Sequence, residues 1–194
     1  MKTVRYFISP KWVVFTSILL IFTTINIFSS SNLLTKRGPL TQIDFPNTDA
    51  GAKRLVATFI ELSAPERTRL TKRLQPSKQD YHLVFKGSDL ANKAYSNYQK
   101  LWNRRLPGIG PRSAAQSAIL IFKVNTNDII NNNVSVTFNL PGGYRNFKDK
   151  LNPGLTMYRW KYTNPGSRIG MAYDGLYFAR GHWFWIPKPW RFVK

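Results

Sequence analysis

The chain has 194 residues, about one domain's worth, with 29 Lys or Arg against 9 Asp or Glu, a formal net charge of +20 and a pI near 10.5. Hydrophobic residues make up 43% and aromatics 14%, too apolar a composition for a disordered chain. With no cysteine and only two histidines, His82 and His182, the sequence excludes disulfides, thiolate nucleophiles and cysteine-bound metals, and it makes a multi-histidine metal site an unlikely design.

Lys2, Arg5 and Lys11 precede an uncharged run over 12–32 that includes Val13, Val14, Phe15, Ile18, Leu19, Leu20, Ile21, Phe22, Ile25 and Phe28. About 20 uncharged residues suffice to cross a bilayer as a helix, and basic residues on the N-terminal side favour leaving that side in the cytoplasm. The expectation is a cytoplasmic tip (1–11), an uncleaved single-pass anchor (12–32), a linker (33–47) and an exported domain (48–194). That places the protein in the inner (cytoplasmic) membrane with its C-terminal domain periplasmic or extracellular. A cleaved signal peptide is the competing reading, although the apolar run is longer than usual and Ser29-Ser30-Ser31 offers no Ala-x-Ala exit.

The first half of the domain reads as helices. Leu55, Val56, Phe59, Ile60 and Leu62 fall at helical spacing, and Ser63-Ala64-Pro65-Glu66 has the form of a capping box that opens a second helix reaching Leu74. Ser77-Lys78-Gln79-Asp80 opens a third, with Asp in place of Glu. Ser88 is the expected cap of a fourth, in which Leu90, Ala91, Ala94, Tyr95, Tyr98, Leu101 and Trp102 form an apolar stripe, read first as core and second as a ligand wall.

The second half changes period. The apolar run 118–124 predicts a central strand covered on both faces. Val134, Val136, Phe138 and Leu140 alternate with polar residues and predict a half-buried strand. A helical turn is expected over 144–151, then strands over 155–163 and 168–179, and Arg180-Gly181 as a two-residue hairpin turn into 182–186. Helices first and an antiparallel meander second predict an α+β layer, with the helices on one face of a curved sheet.

The helices, the Pro-Ser-Lys-Gln-Asp-Tyr segment at 76–81 and the aromatic strands ending in Gly181-His182-Trp183-Phe184-Trp185-Ile186 resemble the NTF2-like, cystatin-related α+β roll. The C-terminal Pro187-Lys188-Pro189-Trp190-Arg191 is similar to the endings of uncharacterised bacterial exported proteins. The resemblance implies a curved sheet with an internal cone, and the family holds both enzymes and non-catalytic binding modules, so it carries no activity by itself.

Asp174 is the chemically exceptional acid, because strict alternation places it with Ala172, Leu176 and Phe178 in an otherwise apolar strand. Its structural reading is an ion pair with Arg159, Lys161 or His182, or a bulge at Gly175 turning it to solvent. Its catalytic reading is an acid/base pair with His182 in the cone of a small NTF2-like isomerase or hydrolase. His82 reads as surface or packing. The sequence holds no Gly-x-Ser-x-Gly elbow and no Ser-x-x-Lys motif, and 107–111 and 141–143 lack the pattern of a nucleotide-binding loop; no cofactor or metal is expected.

After Asn32 there are 26 basic and 9 acidic residues, an excess that draws anionic surfaces. Export argues against nucleic acid and for a membrane partner, an anionic lipid or envelope polymer, or an envelope protein. Candidate ligand contacts are Arg159, Tyr173, Trp183, Trp185, Lys188 and Arg191, since Trp and Arg are common binding anchors. The Pro-Lys-Pro-Trp tail is expected to fold over the core with Trp190 as a plug, the alternative being an exposed aromatic and basic surface. The sequence therefore favours a basic domain that binds rather than catalyses.

Overall fold

The computed structural model describes residues 45–104 and 108–193. The tip, the anchor and nearly all of the linker lie outside the described residues, among which no helix is long and apolar enough to cross a membrane. Phe45, at the end of the expected linker, is already core: it is buried, and its carbonyl accepts the Trp183 indole N–H at 2.7 Å.

Four helices come first. Helix α1 (Asp49–Glu61) is capped by the Thr48 hydroxyl, which accepts the Gly51 N–H at 2.9 Å. Helix α2 (Ala64–Arg73) starts at the expected box, with the Glu66 carboxylate receiving the Ser63 N–H at 2.9 Å and holding its carboxyl below the usual range. At the other end of α1, Arg67 donates to the Phe59 and Ile60 carbonyls at 2.7 and 3.2 Å, so one guanidinium closes α1 from the first turn of α2. Helix α3 (Lys78–Val84) starts at the Asp80 box, where the carboxylate accepts the Ser77 N–H and hydroxyl, each at 2.7 Å. Helix α4 (Ser88–Trp102) is capped by Gly87 at φ 82; Ser88 is its first residue and not the expected cap.

The sheet is a meander of four antiparallel strands in chain order, β1 (Ala118–Asn125), β2 (Thr156–Thr163), β3 (Gly170–Ala179) and β4 (His182–Trp185). Between β1 and β2 lie the short helices α5 (Thr126–Ile130) and α6 (Val134–Thr137) and a 3-10 helix (Gly142–Lys150); the last turn is α7 (Pro189–Phe192). Arg180 and Gly181, at φ 53 and 79, make the expected tight hairpin turn.

Three expectations are corrected. Strand β1 is an edge strand, half-exposed along most of its length, because a meander leaves its first strand at the margin; an apolar run alone does not tell a central strand from an edge one. The alternating segment 134–140 is the turn α6, with Val134 and Phe138 exposed. Asn133 decides this: its amide donates to Asp128 at 3.0 Å, and its carbonyl accepts the Thr137 N–H and hydroxyl, each at 2.9 Å, closing a helical turn where no strand is present to pair.

The third correction concerns the layers: the sheet is covered on both faces, not one. Neighbouring residues that point to opposite sides, Leu176 with Tyr177 and Trp183 with Phe184, are all fully buried. On one face α1 docks through the Tyr158 hydroxyl, which donates to Asp49 at 2.7 Å, and the Tyr162 hydroxyl, which donates to the Val56 carbonyl at 2.8 Å. On the other face lie the 3-10 helix, through Tyr144, and α3, through Asp80.

The register slips once. Tyr158 pairs with Leu176 and Trp160 with Tyr173, so Asp174 and Gly175 together face Arg159 in a β-bulge. Gly175 sits at φ 80, and a Cβ there would lie 2.0 Å from the Ile186 carbonyl oxygen. The expected outcome for Gly175→Ala is a loss of about 2–3 kcal/mol, from the left-handed backbone and the displaced carbonyl, read as a lower urea midpoint at unchanged slope. A shift under about 0.5 kcal/mol would mean that the chain closes here some other way.

Candidate functional site

The bulge decides what Asp174 does. It reverses the alternation after Gly175, so Asp174 leaves the face of Leu176 and Phe178 and shares the side of Tyr177 and Arg159. It is buried, not turned to solvent. Its Oδ1 accepts the Lys188 backbone N–H at 2.9 Å and the Tyr144 hydroxyl at 3.1 Å, and its own carbonyl accepts the Trp185 indole N–H at 2.8 Å. Burial pushes its carboxyl above the ordinary value, against the pull of the Lys188 N–H, Tyr144 and the nearby cations Lys188 and Arg159. Arg159, the structural partner expected from sequence, is close enough to be felt but makes no ion pair with it; its guanidinium lies over the Phe122 ring at 6.0 Å.

The structure does not pair Asp174 with His182. The His182 Nε2 lies 2.9 Å from Oδ2 of Asp80, the carboxylate of the α3 capping box. His182 stands opposite Ala179, so about five residues of strand, on the order of 15 Å, separate it from Asp174. Tyr177 and Phe184, stacked at 5.4 Å and fully buried, occupy the space between them. Each member of the expected acid/base pair thus holds a separate structural contact.

The aromatic candidates are also committed to packing. Trp183 is fully buried and bonded to Phe45, Trp185 is nearly so and bonded to Asp174, and Tyr173 stacks on Trp160 at 5.2 Å while its hydroxyl donates to the Gly110 carbonyl at 2.8 Å. Swinging a buried indole out to a ligand would forfeit about 150–250 Å² of burial, on the order of 4–6 kcal/mol. These rings build the site's support and not its surface. Lys188 spends its backbone on Asp174, in a left-handed conformation at φ 49 between two prolines.

Among the predicted ligand contacts, Arg191 is the one at an open surface. It is exposed on α7 and lines a depression of about 380 Å³ against α4. Lys93, Lys100 and Arg104 face the same depression from α4 and the turn after it, at helical spacing, and Asn97, Leu101 and Phe192 form its half-buried floor. Among the described residues, no carboxylate lines it. Within the α4 stripe, Ala91, Ala94, Tyr98 and Trp102 are core, and Leu101 lines the depression.

Sequence reasoning missed Lys93, Asn97, Lys100, Arg104 and Phe192. A signal was present, since Lys93, Asn97, Lys100 and Arg104 recur at helical spacing beside the apolar stripe; what it lacked was the knowledge that α7 returns to face them. The Asn97 amide donates to the Phe192 carbonyl at 2.6 Å, and the Tyr98 and Phe192 rings lie 4.7 Å apart, fixing that approach. Trp190 acts as the expected plug: half-buried, it covers Gly143, where a Cβ would meet its ring at 2.3 Å, and packs against Tyr144 at 4.8 Å.

A structural Asp174 has a distinctive pH signature. Because its folded pKa lies above its unfolded one, the native state binds more protons, and stability falls as pH rises from the ordinary carboxylate range through the folded pKa, then levels. Asp174→Asn keeps an oxygen for the Lys188 N–H and removes that step, so its stability relative to the parent rises across this window in urea titrations. Asp174→Ala leaves two donors without an acceptor and costs about 2–3 kcal/mol. A stability of Asp174→Asn relative to the parent that falls as pH rises across this window contradicts this. No family model matches the chain, and neither a curated protein nor a solved structure matches it either.

Proposed function

We propose that this chain is a single-pass, membrane-anchored protein whose exported part is a basic, non-catalytic binding domain for anionic envelope components, either lipid, polymer or an acidic partner protein. The observation that carries the reading is the depression between α4 and α7, lined by cations from two elements and, among the described residues, by no acid. The distribution of acids supports it. Glu66 and Asp80 are spent on helix starts, Asp174 on the tail and Asp49 on Tyr158 and Lys123, the last at 3.0 Å. With these four acids held in local contacts, the surplus positive charge is presented to solvent, where it attracts polyanions within about a Debye length, roughly 8–10 Å at physiological salt.

The α+β arrangement with its antiparallel sheet is compatible with the NTF2-like roll that the sequence resembles. The rival reading, an NTF2-like enzyme using Asp174 and His182, needs those side chains in one cavity, and their separate partners favour binding instead.

Co-sedimentation of the purified chain with lipid vesicles tests the proposal. Binding to phosphatidylcholine vesicles carrying about a third phosphatidylglycerol is expected at about 0.1 M salt, and its loss near 1 M, where the Debye length is about 3 Å. If insertion of the apolar N-terminus alone held the protein, binding would be equal on vesicles of pure phosphatidylcholine and indifferent to salt. That result would overturn a domain that reads negative charge.

A further inference from the structure

We propose that the depression between α4 and α7 is a binding site for an organic phosphate, meaning a phosphate group that carries an apolar portion; this deepens the anionic-ligand reading above and rests on it. Lys100 and Arg104 lie four positions apart on the same side of α4 and its exit, and Arg191 faces them from α7. Two guanidinium groups suit phosphate, whose oxygens accept their paired N–H donors in a planar fork. Between the cations the floor is Leu101 and Phe192, both half-buried, an apolar surface on which a bare inorganic ion would find nothing to touch.

The wall carrying Arg191 is held in place before any ligand arrives. The Asn97 amide grips the Phe192 carbonyl at 2.6 Å, the Phe192 ring packs on Tyr98 at 4.7 Å, and the Tyr98 hydroxyl donates to the Pro187 carbonyl at 2.6 Å. Preorganisation of this kind lowers the ordering cost of binding. The volume, about 380 Å³, lies within the range of small-molecule sites and suits one headgroup rather than a length of polymer. Cations at the end of a helix also complement its dipole, which explains Lys100 and Arg104 without a ligand. It does not explain Arg191, which comes from another element, or the apolar floor.

The phosphate can be borne by a lipid headgroup or by a soluble metabolite, and the chemistry at the site is shared. Titration calorimetry on the full-length chain in an uncharged detergent tests the site, with phenyl phosphate, inorganic phosphate and phenol as probes, and vesicle displacement separates the sources. Phenyl phosphate should bind about tenfold more tightly than inorganic phosphate, because only it reaches the apolar floor, and phenol should not bind.

The triple variant K100Q/R104Q/R191Q should lose about 10–100-fold, each exposed ionic contact being worth up to about fivefold. A charge-matched control, K53Q/R54Q/R168Q, alters exposed cations elsewhere and should change affinity less than about twofold. Unchanged thermal midpoints in both variants exclude unfolding as the cause. Phosphatidylcholine vesicles containing phosphatidic acid should displace phenyl phosphate if the natural phosphate is lipid-borne; failure to displace it assigns the site to a soluble organic phosphate. Equal losses in the two triple variants, or equal affinity for phenyl and inorganic phosphate, would overturn the site while leaving a diffuse anion-binding domain. Absence of any salt-sensitive anion binding would remove both.

Discussion

The hydrogen bond from the Lys188 backbone to the buried Asp174 carboxylate ties the chain leaving β4 to β3 at the point where the 3-10 helix and α4 also meet it. It exists because β3 carries a bulge at Asp174 and Gly175 that turns the carboxylate away from α1 and toward the chain leaving β4. Gly175 lets that chain approach closely enough for its carbonyl to accept the Ile186 N–H at 2.8 Å. Tyr144 brings the 3-10 helix to the same carboxylate, and Tyr98 brings α4 to Pro187 one residue before Lys188. Four parts of the chain thus meet around one buried charge. Such a charge costs more than it returns unless it is well bonded, and Asp174 is bonded to two donors with Arg159 and Lys188 nearby.

This arrangement has a consequence for binding. The tail that Asp174 secures continues directly into α7, and α7 supplies Arg191 and Phe192 to the depression on α4. A group that resembles a catalytic acid in sequence instead anchors the chain at Lys188, three residues before Arg191 of the proposed site. The same economy appears at Asp80, which opens α3 and receives His182. In a chain with so few acids, Asp49, Glu66, Asp80, Asp128 and Asp174 serve as local ties, and the surface carries a surplus of positive charge.

Much of the architecture was legible from local chemistry. Both capping boxes form with the residues the spacing requires, the Arg180-Gly181 hairpin forms, and the α4 stripe is core. What was not legible depended on contacts distant in sequence. Period-2 alternation at 134–140 yields to a turn set by the Asn133 and Asp128 pair, and an apolar run at 118–124 gives no hint that its strand lies at the sheet edge. Asp174 was misplaced for a related reason: one bulge inverts the facing of every residue after it, and Gly175 was the signal, weighed as a route to solvent and not as a phase change. Trp183 and Trp185 looked like anchors for a ligand, yet each indole N–H finds a backbone carbonyl within the fold. The depression itself joins α4 to α7 across more than eighty residues of sequence, beyond the reach of any local pattern.

Amide hydrogen exchange at Lys188 tests this organisation most directly. Lys188 lies between two prolines in a short exposed-looking turn, so its amide would ordinarily exchange about as fast as a free loop. Bonded to a buried carboxylate, it should instead exchange slowly, with protection approaching that of the β3 core and lost together with it on denaturation. Exchange at the rate of a free loop, with the β3 core still protected, would contradict a tail secured by Asp174 and with it the fixed wall of the proposed site.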